Sequence, residues 1–274
     1  MIELGFALHP KWVEQPGREN FLAPLKANGM RVLEFTLHPE GDEWEPMRAL
    51  AAECVRAGYR CYFHAPYKDP FNPDGFASAR RAELESRYAL PIEFAEQMAR
   101  LGNYDPALVI HGAHGKTALA ELTEDTRAFL AWVIARTERA RLMLEILPPK
   151  PGYVRVGETY EQVVNLVREL NHPRLNICWD FGHTVLQNLG LPPADFLSAT
   201  RHVHIHDLND AFEDHFPLIY GNVPWQADLR ALMQAGFAGA VVMEINGYRA
   251  ASVENLPARL AESFALMTAV IGNS

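Results

Sequence analysis

The sequence predicts one α/β domain over residues 1–274, a single (β/α)8 TIM barrel, and three observations predict it. Eight short β-type runs recur along the chain. Amphipathic helix-type stretches lie between most of them, and the eight runs spread over about 250 residues, the usual extent of this architecture. No linker, low-complexity tract or repeat divides the 274 residues.

The β-type runs are IELGFAL (2–8), RVLEFTL (31–37), YRCYFHA (59–65), ALVIHGA (107–113), RLMLEIL (141–147), LNICWDF (175–181), HVHIHDL (202–208) and AVVMEIN (240–246). They are short, apolar and rich in β-branched and aromatic residues, as buried parallel strands are. Helices are expected over 19–29, 45–58, 126–140, 159–171 and 227–236, several closing on the Gly or Asn that suits a helix C-terminus, with the last helix over 253–270. PPKPG (148–152) and LPPAD (191–195) read as loops, and residues 68–87 as a long third loop suited to covering a small substrate.

Composition narrows the function. At 49% hydrophobic and 22% charged residues the chain has the make-up of a globular protein with a sizeable core. A formal net charge of −9 opposes general nucleic-acid binding, which relies on neutralising phosphates with Lys and Arg. The N-terminus lacks the basic region, apolar core and cleavage pattern of a signal peptide, and no apolar run is long enough to span a bilayer, so a cytoplasmic location is expected. Cys54, Cys61 and Cys178 are odd in number and sit in apolar segments, which favours buried thiols over disulfides.

The stretch HVHIHDLNDAFEDH (202–215) sets His202, His204 and His206 on one strand face and follows them with Asp207, Asp210, Glu213, Asp214 and His215. Barrels of this class place their chemistry at the C-terminal strand ends and in the loops beyond. His64, His111, Glu145, Asp180, His204 and Glu244 fall at six such ends, with His183 and His215 close behind. A lone ionisable group in an apolar strand is costly to bury without a partner, and six together point to metal. Mixed imidazole and carboxylate donors without thiolate favour Zn²⁺, with Mn²⁺ or Fe²⁺ as alternatives, over Mg²⁺ or Ca²⁺. The surplus of donors implies two or three ions, or one ion with the remaining groups handling substrate.

Through HAPY (64–67), IHGAHG (110–115), LEILPP (144–149), WDFGH (179–183), HVHIHDLND (202–210), DHFPLIYG (214–221) and MEING (243–247), the chain resembles the xylose-isomerase-like barrel superfamily. That superfamily holds both endonuclease IV type apurinic endonucleases and sugar isomerases and epimerases. The isomerase branch implies one metal on a Glu, Asp, His, Glu quartet, here Glu145, Asp180, His204 and Glu244. The endonuclease branch implies three zinc ions and adds His64, His111, His183, Glu213 and His215. The chain departs from that pattern at Glu213, where an Asp is usual, and at Ile219, where a glycine is usual. His206 is a rival to His204; the register of His-x-His-Asp favours His204.

Two reactions follow from the resemblance. Clustered metals could activate water for phosphoester hydrolysis, or one metal could bind a ketose while a carboxylate moves a carbon-bound proton. The catalytic candidates are Glu145, Glu244 and His183. Because hydrolysis uses His64 and His111 and proton transfer does not need them, the expectation leans narrowly to hydrolysis. The expected partner is a small molecule, a sugar, sugar phosphate or nucleotide-like ligand; the acidic chain weighs against DNA, although Tyr67 stands where an intercalating aromatic would. Trp12, Trp44, Trp179 and Trp225 are candidate pocket walls, and Lys116, Lys150 and Arg155 candidate anion contacts, each more readily explained as packing or solvated surface.

Overall fold

A computed structural model of the chain describes residues 1–8 and 18–272. The barrel strands are β1 (Glu3–Leu8), β2 (Met30–Thr36), β3 (Arg60–His64), β4 (Ala107–Ile110), β5 (Arg141–Glu145), β6 (Leu175–Asp180), β7 (Thr200–Ile205) and β8 (Ala240–Met243). They close into a parallel barrel in the order β1-β8-β7-β6-β5-β4-β3-β2, each strand beside its neighbour in sequence. The helices are α1 (Arg18–Ala27), α2 (Trp44–Arg56), α3 (Arg81–Gly102), α4 (Leu119–Arg136), α5 (Tyr160–Leu170), α6 (Phe181–Leu186), α7 (Ala194–Ala199), α8 (Trp225–Gln234), α9 (Gly247–Ala250) and α10 (Leu256–Gly272).

All eight expected strands form, but the ladder stops short of the apolar runs at their C-terminal ends. His64, Glu145 and Asp180 are therefore the last residues of their strands, while His111, His206 and Glu244 come just after theirs. Three helices depart most from expectation. α4 begins at Leu119 rather than 126, and α7 begins inside the Pro-rich stretch taken for a loop. The largest miss is α3, whose start lies in the supposed third loop. Its charge-mixed opening hid i,i+4 pairs, Arg81 with Glu85 at 2.9 Å and Arg87 with Glu83 at 3.0 Å, above a buried face of Leu84, Tyr88, Ile92 and Phe94. What remains of that loop is pinned. Arg80 donates to the Pro70, Asn72 and Asp74 carbonyls, and Asp125 accepts from Gly75 and Ala77 N–H.

The chain divides into two compact units, Thr36–Cys178 and Met1–Phe35 with Trp179–Ser274. Within the first, β3 pairs β4 through Phe63↔Leu108, β4 pairs β5 from Ala107↔Arg141 to Ile110↔Leu144, and β5 pairs β6 up to Glu145↔Cys178. Within the second, β1 pairs β8 from Glu3↔Ala240 and β8 pairs β7 through Val242↔His204. Gly5 permits this close strand packing: a Cβ there would lie 2.8 Å from Val242 Cγ2.

Three of the four tryptophans proposed as pocket walls pack into the core instead: Trp44 edge-on to Phe94 at 5.4 Å, Trp179 against Phe181 at 4.5 Å, and Trp225 buried at the start of α8. Trp12 lies outside the described residues. The three cysteines are buried and none is in a disulfide among the described residues. Among the described residues no helix is long and apolar enough to cross a membrane.

Candidate active site

In the unit Thr36–Cys178, the ends of β3, β4 and β5 bring His64, His111 and Glu145 together, with ligand atoms within 4.8 Å of one another. Glu145 Oε2 lies 2.7 Å from His111 Nε2 and 3.2 Å from His64 Nε2, and the two ring nitrogens are 3.1 Å apart. His64 Nδ1 sits 2.9 Å from its neighbour's carbonyl, Ala65 O. Donation there places the proton on Nδ1 and leaves Nε2 bare. A bare imidazole nitrogen then faces a carboxylate oxygen. In the neutral ring both are acceptors, and a proton or a metal ion held between them would join the pair. Burial lowers the His111 pKa to about 4 against the opposing pull of Glu145, so its ring is neutral, as a metal ligand must be. Tyr67 lies over both imidazoles, with ring centroids 4.1 Å from His111 and 5.3 Å from His64. That packing, rather than projection outward for intercalation, is where the structure places it.

The other unit carries a denser arrangement. Asp180, His183, His206 and His215 bring ligand atoms within 4.8 Å of one another. Asp180 caps α6 by accepting the His183 N–H at 2.8 Å, and its carboxylate lies 3.1 Å from His206 Nε2. His206 Nδ1 receives the backbone N–H of His215 at 3.0 Å, nearer than the Asp207 carbonyl at 3.3 Å. An N–H can only donate, so Nδ1 is unprotonated and a neutral His206 ring carries its proton on Nε2, pointed at Asp180. His206 thus orients Asp180. It is also fully buried, not a step nearer solvent than His204. Gly182 makes room for the ring, since a Cβ there would lie 2.0 Å from His206 Cε1. His215 stacks on His206 with centroids 4.3 Å apart and adopts φ 65, a conformation uncommon outside glycine that collects at functional positions.

His204 has the opposite arrangement. Its Nε2 is 2.8 Å from Glu34 Oε1 and its Nδ1 is 3.1 Å from Glu244 Oε2. Glu34 also meets His202 Nε2 at 2.8 Å. Burial would raise the Glu34 carboxyl, but His204 and His202 outweigh it and hold it at about 2, so it is an ionised acceptor. His204 donates from Nε2 to Glu34, and on giving up its Nδ1 proton it would turn that nitrogen towards Glu244 as a metal ligand, the carboxylate–histidine–metal pattern. Burial would likewise raise Glu244, yet His204 and His215 keep it well below the usual carboxylate range.

The sequence reading missed Glu34 and gave His202 no role of its own. Glu34 stands alone among apolar residues in RVLEFTL, the same signal that singled out Glu145 and Glu244, but it lies in the middle of β2 rather than at its end. Glu213 stands apart from the other expected ligands. It is exposed, accepts from Asn209 Nδ2 at 2.7 Å, and joins no ligand group among the described residues. The loop turns it outward because Asn209 accepts its backbone N–H, while Asp207 fastens the far end by accepting the N–H groups of Tyr220, Gly221, Asn222 and Val223.

A family model described as xylose isomerase-like TIM barrel matches residues 22–270. A protein of Methanocaldococcus jannaschii, described as uncharacterized, is 28% identical over 123 residues, which span 42% of this chain and 40% of that protein. Among solved structures, a D-tagatose 3-epimerase-like protein is 18% identical with a TM-score of 0.70, covering 99% of this chain and 97% of that one. D-psicose 3-epimerase of Clostridium cellulolyticum H10, solved with D-tagatose, is 14% identical with a TM-score of 0.75 over 98% and 99% of the two chains. D-allulose 3-epimerase of Methylomonas sp., solved with D-allulose, is 14% identical with a TM-score of 0.73 over 98% and 96%. At these identities the likeness shows a shared fold.

Proposed function

The chain belongs to the xylose isomerase-like TIM-barrel family, and from that premise we propose that it is a divalent-metal-dependent sugar isomerase or epimerase. The observation that carries the reading is the His204 ring held between two carboxylates, with Nδ1 3.1 Å from Glu244 Oε2 and Nε2 2.8 Å from Glu34 Oε1. This replaces the narrow preference for phosphoester hydrolysis. Two things favour the change: the similar solved structures are sugar 3-epimerases, and the outward Glu213 leaves the three-metal set short of a ligand.

The proposed metal ligands are Asp180, His204 and Glu244, with Glu145 the fourth that the family resemblance assigns. Nitrogen and oxygen donors without thiolate suit Zn²⁺, Mn²⁺ or Fe²⁺. When bound, such an ion polarises the carbonyl and hydroxyl oxygens of a ketose and so acidifies the neighbouring C–H. Glu244, kept ionised by its two histidines, is the carboxylate able to take that proton, on the oxygen not turned towards His204. Returned to the adjacent carbon it gives isomerisation; a proton delivered to the opposite face, the part the family resemblance would leave to Glu145, gives epimerisation. His206 orients Asp180, Glu34 orients His204, and Tyr67 shields the His64 and His111 rings from water.

The test incubates metal-loaded protein with neutral and phosphorylated ketoses, phosphodiesters and labelled abasic duplex. Metal-dependent interconversion of ketoses is expected. Tight, salt-sensitive duplex binding with incision 5′ to the abasic site would overturn the reading.

A further inference from the structure

One cation near Glu145 is unused by this account. Arg155 lies in the loop after β5, where its residue pairs antiparallel with His114 in the loop after β4. This short ladder is firmly held. Asn72 accepts the His114 N–H at 3.1 Å and donates to the His114 carbonyl at 2.6 Å. Val156 N–H reaches the Ala113 carbonyl and Leu147 N–H the Gly157 carbonyl, both at 2.9 Å. Gln162 Oε1 accepts from Gly157 and Glu158. Two glycines permit the contact: a Cβ on Gly112 would lie 2.5 Å from the Val156 carbonyl oxygen, and one on Gly157, at φ +105, 3.0 Å from that of Glu145. The backbone carrying Arg155 is thus clamped against the end of the strand that carries Glu145.

The guanidinium is half-buried. Its Nη1 donates to the Pro148 carbonyl at 2.7 Å, but Nε is buried with no hydrogen-bond partner among the described residues. An unmade hydrogen bond to a buried charged group is costly. Glu158, the neighbouring carboxylate, leaves its own Oε1 buried and unpartnered in the same way, so it does not supply that bond. Arg155 is close enough to act electrostatically on Glu145, His111, His114 and Tyr67. Lys150, with its ammonium 4.4 Å over the Tyr153 ring, adds a second cation that acts on His114. A chain of net charge −9 keeps a fixed, partly dehydrated positive centre beside Glu145.

We propose that Arg155 receives an anionic group of the substrate, a phosphate or a carboxylate, beside Glu145. The planar guanidinium has donors in the fork that both groups match. The inference rests on the isomerase or epimerase reading for the word substrate, and it makes that substrate an acidic or phosphorylated ketose rather than a neutral one.

Calorimetric titration of metal-loaded protein with inorganic phosphate tests the site without any turnover. Arg155→Met is expected to weaken phosphate binding by about 10–100-fold, the range for a lost charged hydrogen bond, with Arg155→Lys in between and metal content equal in all three proteins. Bound metal that attracts phosphate contributes equally to each, so the difference reports Arg155. Turnover of a neutral ketose, its phosphate ester and its uronate then separates the two sources of negative charge: preference for either acidic form, lost with Arg155→Met, supports the proposal. Equal phosphate affinity in wild type and Arg155→Met would overturn it, as would preference for the neutral ketose. If no ketose is turned over while the phosphate difference stands, the isomerase reading fails and the anion site survives.

Discussion

The two units hold their imidazoles by different means. Around β7 two rings each have one nitrogen committed by a partner whose role is fixed: His204 by ionised Glu34, His206 by the His215 N–H. Around β3 to β5, only His64 is fixed in that way, by a backbone carbonyl, and His111 meets His64 and Glu145 through the single atom Nε2. The first arrangement is wired before any ligand arrives, and the second is completed by one. Preorganisation of this kind belongs where a metal must be held in one geometry.

Removing Glu34 should break the contrast most severely. Glu34→Gln retains the shape but loses the charge that both His202 and His204 face, so a loss of about 3–5 kcal/mol in stability and a 10–100-fold loss in metal affinity are expected from chemical denaturation and metal titration. His64→Gln, which disturbs the less wired side, should leave metal affinity closer to wild type.

Acid should distinguish the two sides next. The unfolded chain takes up a proton on residue 111 near pH 6.5, whereas the folded chain resists until about 4. Stability supplied by the neutral ring is therefore complete above 6.5 and lost as the pH falls from 6.5 towards 4, with a ceiling of about 3 kcal/mol. His111→Gln should flatten that part of the stability–pH curve, as followed by denaturant midpoints; an unchanged slope would count against a buried neutral His111.

The order of these effects bears on what could be read in advance. The fold was legible because eight apolar β-type runs and their spacing are local features. His64, Glu145, Asp180 and Glu244 were legible because an ionisable residue in such a run is conspicuous. The roles of Glu34 and His206 were not, since both depend on which imidazole nitrogen carries the proton, and that is set for His204 by Glu34, 170 positions away in sequence, and for His206 by the backbone N–H of His215 in the following loop. Glu213 misled because spacing alone cannot tell whether a loop turns a carboxylate inward. α3 was hidden by an opening whose charges read as solvated loop until their pairing at helical spacing was seen.

Smaller effects refine the picture. Gly182→Ala has to push the His206 ring from Asp180, and should lower stability by about 1–3 kcal/mol and weaken metal binding without abolishing it. Glu213→Gln should change metal content and activity not at all, and stability by less than about 0.5 kcal/mol; loss of a metal equivalent in that variant would restore the three-metal arrangement.

The most direct measurement of the central claim is proton exchange. Metal-loaded protein incubated with a ketose in deuterated water, followed by NMR, should place deuterium at the carbon beside the carbonyl, in product and in recovered substrate, and Glu244→Gln should abolish it. Release of phosphate or cleavage of a phosphodiester, with no deuterium entering any ketose, would contradict the account.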